Sequence, residues 1–150
     1  MDIIELGESL RATSAGVPDP RPSQGRRHPL PAILALCTAA MLAGARSQYA
    51  IAQWGRAQDA ATVGALGFTR DQTPCVATLH LLLKRLDVVA FEAALGQWAA
   101  SAVGVGRTAV AIDGKALRGI HGEELPGVRL VAAFASEAGL VLAQSGGPDR

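Results

Sequence analysis

The apolar residues of this chain change their spacing once, near Gly104-Val105-Gly106. Before that point they recur at helical intervals. After it they fall in short runs bounded by turn residues, at 108–112, 128–135 and 140–143. A helix buries a stripe and a strand buries a face, so the two patterns demand different packing partners. The expected fold class is α+β. Residues 1–28 read as a flexible leader, 29–103 as an all-helical domain, and 104–150 as three consecutive antiparallel strands.

The stretch 29–45 is uncharged for seventeen residues and follows a basic patch. A spanning helix needs about twenty mostly apolar residues, and this run holds proline, threonine, glycine and many alanines. It begins nearly thirty residues into the chain, after an acidic and proline-rich leader, which is not signal-peptide anatomy. Ile33, Leu36, Cys37 and Ala40 follow helical spacing along one face, so a buried helix is expected, with no membrane partner and a cytoplasmic location.

Other helical signals are local. Ser47 is a suitable cap for a helix carrying Ile51 and Trp54, and Thr73-Pro74 reads as a cap followed by proline at the first helical position. Leu79, Leu82, Leu83 and Leu86 fall at the spacing of a core stripe, with His80 and Lys84 on an adjoining face. Asp87 is placed to cap a helix whose Val88, Phe91, Leu95 and Trp98 build an apolar face. Cys37 and Cys75 lack metal-ligand spacing and read as small buried residues of a reducing compartment. Tyr49 reads as packing.

Net charge of +1 with 18% charged residues excludes little; local clustering is the useful quantity. The clearest cluster is 21–28, with Arg21, Arg26, Arg27 and His28. Arg26 and Arg27 read equally as DNA contacts or as solvated linker charge. Asp113 ends the apolar run 108–112 and opens the stretch Gly114-Lys115-Ala116-Leu117-Arg118-Gly119. A carboxylate there stands at the rim of a sheet, where metal-dependent phosphoryl transfer wants one. An Asp-Gly turn with no chemistry is the other reading.

The string Ala111-Ile112-Asp113-Gly114-Lys115-Ala116-Leu117-Arg118-Gly119, then Leu130-Val131-Ala132-Ala133-Phe134-Ala135 and Gly139-Leu140-Val141-Leu142-Ala143-Gln144, resembles the start of the catalytic domain in the H-repeat-associated (ISAs-type) DDE transposases. Asp19-Pro20-Arg21, Arg26-Arg27-His28-Pro29-Leu30, Leu42-Ala43-Gly44-Ala45-Arg46-Ser47, Ile51-Ala52-Gln53-Trp54 and Ala77-Thr78-Leu79 resemble the helical region that precedes it. The resemblance implies the first three strands of a ribonuclease H-like domain, with Asp113 as a catalytic and metal-ligating residue. It implies Mg²⁺, or Mn²⁺, as cofactor, and insertion-sequence ends and target DNA as partners. In such an enzyme Lys115 and Arg118 would meet phosphates near the scissile bond; ordinary surface charge in a loop is the other reading.

Two-metal catalysis needs several carboxylates converging on one point, and only Asp113 has a counterpart in this chain. Glu137 falls at the far end of the expected meander, since a strand of about six residues spans roughly 20 Å. Glu123 and Glu124 read as loop charges, and Asp149 lies in a polar tail. Thirty-seven residues follow Asp113, so the expectation is an amino-terminal fragment of a transposase, truncated and catalytically incomplete. The alternative is a non-catalytic DNA-binding, assembly or inhibitor module that pairs with itself or with a complete transposase.

Overall fold

The computed structural model describes residues 2–103 together with the backbone of 110–116, 128–135 and 140–148. The chain divides into two compact units, Met1–Ala94 and Leu95–Arg150. In the first, five helices run in order: α1 (Ile3–Ser14), α2 (Leu30–Leu42), α3 (Gln48–Arg56), α4 (Ala60–Leu66) and α5 (Val76–Leu83). A sixth, α6 (Val88–Val103), crosses the division.

α2 is the axis of the first unit. Leu30, Ala32 through Cys37, Ala39 and Ala40 are all buried, so the helix is enclosed nearly all round rather than along one face. An uncharged sequence with no polar stripe suits that position, because an all-apolar helix has no face to give to water. α1, α3 and α4 pack on it. Met41 and Leu42, at its carboxyl end, stay exposed. No helix among the described residues is long and apolar enough to cross a membrane.

The segment expected as a flexible leader contains α1. Asp2 accepts from the Glu5 backbone N–H at 2.9 Å while the Glu5 side chain accepts from the Asp2 N–H at 3.1 Å, a reciprocal capping box. Leu10 is fully buried, and α1 packs on α2 and α4. Gly7 allows the close approach to α4, since a Cβ there would stand 3.3 Å from the Ala65 carbonyl carbon and the Leu66 nitrogen. Residues 3–14 therefore belong to the helical unit.

Local signals placed the starts of α3, α5 and α6 at or within a few residues of those observed, while α4 carried no expectation. Ser47 accepts from the Ala50 N–H at 3.0 Å and Asp87 from the Ala90 N–H at 3.0 Å, as their positions predict. Asp59 caps α4 through the Thr62 N–H at 2.8 Å. The helix expected from Thr73-Pro74 starts later, with Cys75 as its cap residue, and it ends at Leu83, so Leu86 lies beyond it. Leu79 and Leu82 are buried, while Leu83 and Leu86 are half-buried. The apolar face expected on α6 is open at its start, with Val88 and Val89 exposed. Phe91, Leu95 and Trp98 are half-buried. Tyr49 is 59% exposed and accepts a hydrogen bond from Gln53, so it does not serve the core.

The expected fold class is corrected. Residues 2–102, where side-chain packing is described, are helical with no strand, and the fold they establish is all-α. Beyond them the backbone gives a β1 (Val110–Ala116), β2 (Val128–Ala135), β3 (Leu140–Pro148) antiparallel ladder. By itself that ladder does not establish a ribonuclease H-like domain, because three strands need a second layer against one face to make a core. Short apolar runs encode local extended pairing; they do not encode the layer that turns a ladder into a domain.

Candidate nucleic-acid interface

Between α1 and α2 the chain makes a loop with one short 3-10 turn, Ser23–Gly25. Asp19-Pro20-Arg21 closes on itself. Asp19 Oδ1 accepts from the Arg21 backbone N–H and from its Nε, each at 3.0 Å, and Oδ2 accepts from Nη2 at 2.9 Å. The same Nη2 donates to the His28 carbonyl at 2.8 Å. Arg26 donates from Nε and Nη2 to the Arg21 carbonyl at 3.1 and 2.9 Å, and its Nε lies 3.5 Å from Asp19 Oδ2. Arg21 and Asp19 are largely buried, with side chains 10% and 18% exposed. A planar guanidinium matches a carboxylate in this side-on geometry. The hydrogen bond from Arg21 holds the Asp19 carboxyl below its ordinary range, against an opposing push from burial.

Two of the three arginines in the basic cluster thus fasten the loop. Arg26, predicted from sequence as a DNA contact, keeps only part of its donor set for anything else. Arg27, the other predicted contact, is exposed and has no ion pair among the described residues. His28 is buried, its ring edge-on to Phe68 with centroids 5.6 Å apart. Burial first, then the charges of Arg27, Arg21 and Arg70, depress its pKa, so it is neutral near pH 7.

Two clefts flank the segment that leads into α5. One, of about 360 Å³, is lined by Arg21, Arg27, His28, Cys75 and Thr78, and the other, of about 320 Å³, by Gly55, Arg56, Gln58, Val63 and Asp71. Gln72 and Thr73 line both, so the clefts adjoin. The Thr73 hydroxyl is buried without a hydrogen-bond partner, and a Cβ on Gly55 would stand 3.0 Å from it, which places that hydroxyl against α3. Cys75 is exposed, contrary to its expected burial, and its Sγ lies 3.4 Å from the Thr78 hydroxyl; that hydrogen bond lowers its pKa. Cys37 is buried, as expected, and desolvation pushes its thiol up to about 12.

The remaining predicted residues lie elsewhere. The backbone puts Asp113 in the middle of β1, opposite Ala132, and Lys115 opposite Leu130. Asp113-Gly114 is therefore within the strand and is not a hairpin turn. Arg118, Glu123, Glu124, Glu137 and Asp149 lie outside the described residues. Among the described residues no group of three or more His, Cys, Asp or Glu side chains is close enough to share a metal ion. Arg56, Gln58 and Gln72 were missed by sequence reasoning, because residues far apart in the chain meet at these clefts without any local motif.

A family model described as DDE_Tnp_1-associated matches residues 14–99, more than half of the chain. The chain belongs to the DDE_Tnp_1-associated family. That family comprises amino-terminal regions of DDE transposases, which makes this a transposase-related protein. The match runs from the last residue of α1 to Ala99 in α6, so it takes in the loop, both clefts and the central helix. No curated protein and no solved structure matches the chain.

Proposed function

We propose that the helical unit is a non-catalytic, DNA-contacting module of an insertion-sequence transposase. The observation that carries this reading is the coincidence of the family match with a helical unit whose inter-helix loop is built around arginines. The loop is fastened through Asp19, so the position of the exposed Arg27 is set by the fold. A cation held in place loses less freedom on meeting a phosphate than one on a slack linker. Phosphate contacts of this kind fix position and supply affinity without reading sequence.

DNA cutting and strand transfer by a DDE mechanism belong in this reading to a carboxylate set of which Asp113 is one member, with Mg²⁺ or Mn²⁺ as the metal. The described residues offer no cluster that fits such an ion. One carboxylate does not hold two ions. The purified chain is therefore expected to bind duplex DNA and to leave it uncut.

Fluorescence anisotropy with short labelled duplexes, repeated over a salt series, tests the binding; a supercoiled plasmid with Mg²⁺ or Mn²⁺ tests the cutting. Absence of salt-sensitive binding sinks the module. Metal-dependent nicking lost in Asp113→Asn would show that the chain retains chemistry of its own.

A further inference from the structure

We infer that the two adjoining clefts beside Gln72 and Thr73 form one trough that seats the phosphodiester backbone of duplex DNA, with Arg27 at one end and Arg56 at the other. The inference rests on the DNA-contacting reading above and assigns the contact to a surface that the basic cluster alone does not predict.

The lining supports this in three ways. First, both clefts open beside the same two residues, Gln72 and Thr73, on one unit. Secondly, its ends carry cations with free donors. Arg21 and Arg26 are engaged by Asp19 and by backbone carbonyls, whereas Arg27 and Arg56 are exposed and make no hydrogen bond or ion pair among the described residues. Asp71 lines the same cleft as Arg56, yet no ion pair joins them. Thirdly, Gln72, shared by both clefts, is exposed and makes no side-chain hydrogen bond among the described residues, so it suits a phosphate oxygen without adding repulsion. Gln58 and Thr78 beside it engage the Trp54 carbonyl and Cys75 Sγ. An apolar occupant is disfavoured by this lining, and a metal ion by the two cations.

Asp71 gives the inference a direction that a structural role would not share. It is exposed and carries the one acidic charge in the trough. Removing it should improve the seat for an anion.

Anisotropy with the full chain and a short duplex provides the test. Arg27→Gln and Arg56→Gln are each expected to weaken binding on the order of tenfold and to make the logarithmic salt slope shallower by about one. Asp71→Asn is expected to tighten binding, and Gln72→Glu to weaken it. Arg46→Gln, which lines neither cleft, should leave affinity and slope unchanged. All five positions are solvent-facing, and circular dichroism checks that each variant folds.

If the wild-type chain binds DNA and the Arg27, Arg56 and Gln72 variants bind equally well, the trough is wrong while the DNA-contacting reading stands. A wild-type chain that does not bind duplex DNA overturns both. Inorganic phosphate that shifts the Gln72 and Thr78 amide resonances, where DNA leaves them unmoved, assigns the trough to a free anion and overturns the inference.

Discussion

The Arg21 guanidinium lies side-on to the Asp19 carboxylate, Nε to Oδ1 at 3.0 Å and Nη2 to Oδ2 at 2.9 Å, and the same Nη2 reaches the carbonyl of His28. One ion pair therefore ties the chain leaving α1 to the chain entering α2. Because it is largely buried, removing one partner leaves the other charge poorly solvated. Asp19→Asn should destabilise the fold by about 2 kcal/mol, between the values for exposed and fully buried pairs, and a urea midpoint measures it.

The pH dependence of that pair has a definite sign. Asp19 titrates lower in the folded state than its ordinary value. Its contribution is thus complete above the unfolded carboxylate value, about 3.9, and is lost as pH falls through the lower folded value. Stability measured from neutral pH into that acid range should fall less steeply in Asp19→Asn than in the wild type; identical acid limbs would contradict the assignment.

His28 acts in a higher window. Burial and three arginines depress its pKa, so folding favours the neutral ring. Stability from this residue is complete above the ordinary histidine value, about 6.5, and declines as pH drops from there toward the folded value. His28→Phe keeps an aromatic ring beside Phe68 and removes the titration. The wild-type melting temperature should decrease between neutral and mildly acidic pH by more than that of the variant.

Gly67 ends α4 with φ +103°, a left-handed conformation that costs an L-residue roughly 1–2 kcal/mol. A Cβ there would also collide with the Cδ of Arg11 from α1. Gly67→Ala should destabilise by more than the backbone cost alone. Adding Arg11→Ala should recover the collision part only, so a double-mutant cycle in urea separates the two. Full additivity would mean that Arg11 moves aside freely.

The two thiols should separate cleanly in reactivity. Cys75 is exposed with a lowered pKa, and Cys37 is buried with its thiol raised to about 12. The thiolate is the reacting species. An aromatic disulfide reagent should titrate one thiol in the native protein and both in denaturant, and Cys75→Ser should abolish the native signal.

The features legible in the sequence were local ones. Ser47 and Asp87 mark helix starts because a cap is a contact across three residues, and Leu79 and Leu82 declare a buried stripe because their spacing is the period of the helix. The uncharged run at 29–45 required a burial site, and the ordered string of family-like segments was enough to name the transposase lineage. Asp113 also came from sequence, through its residue type and the resemblance.

Tertiary structure decided whatever depends on residues meeting from afar. It enclosed α2 on nearly every side, and it made 3–14 a packed helix because Gly7 lets α1 approach α4. It gave Arg21 and Arg26 a fastening role that the basic cluster does not announce, since their partners are a carboxylate and carbonyls whose positions only the closed loop fixes. It left Cys75 and Tyr49 in solvent and set Arg56 and Arg27 on two clefts that share Gln72 and Thr73. A basic residue reads alike in sequence whether it is spent on the fold or free for a ligand; the difference lies in which acceptors surround it in three dimensions.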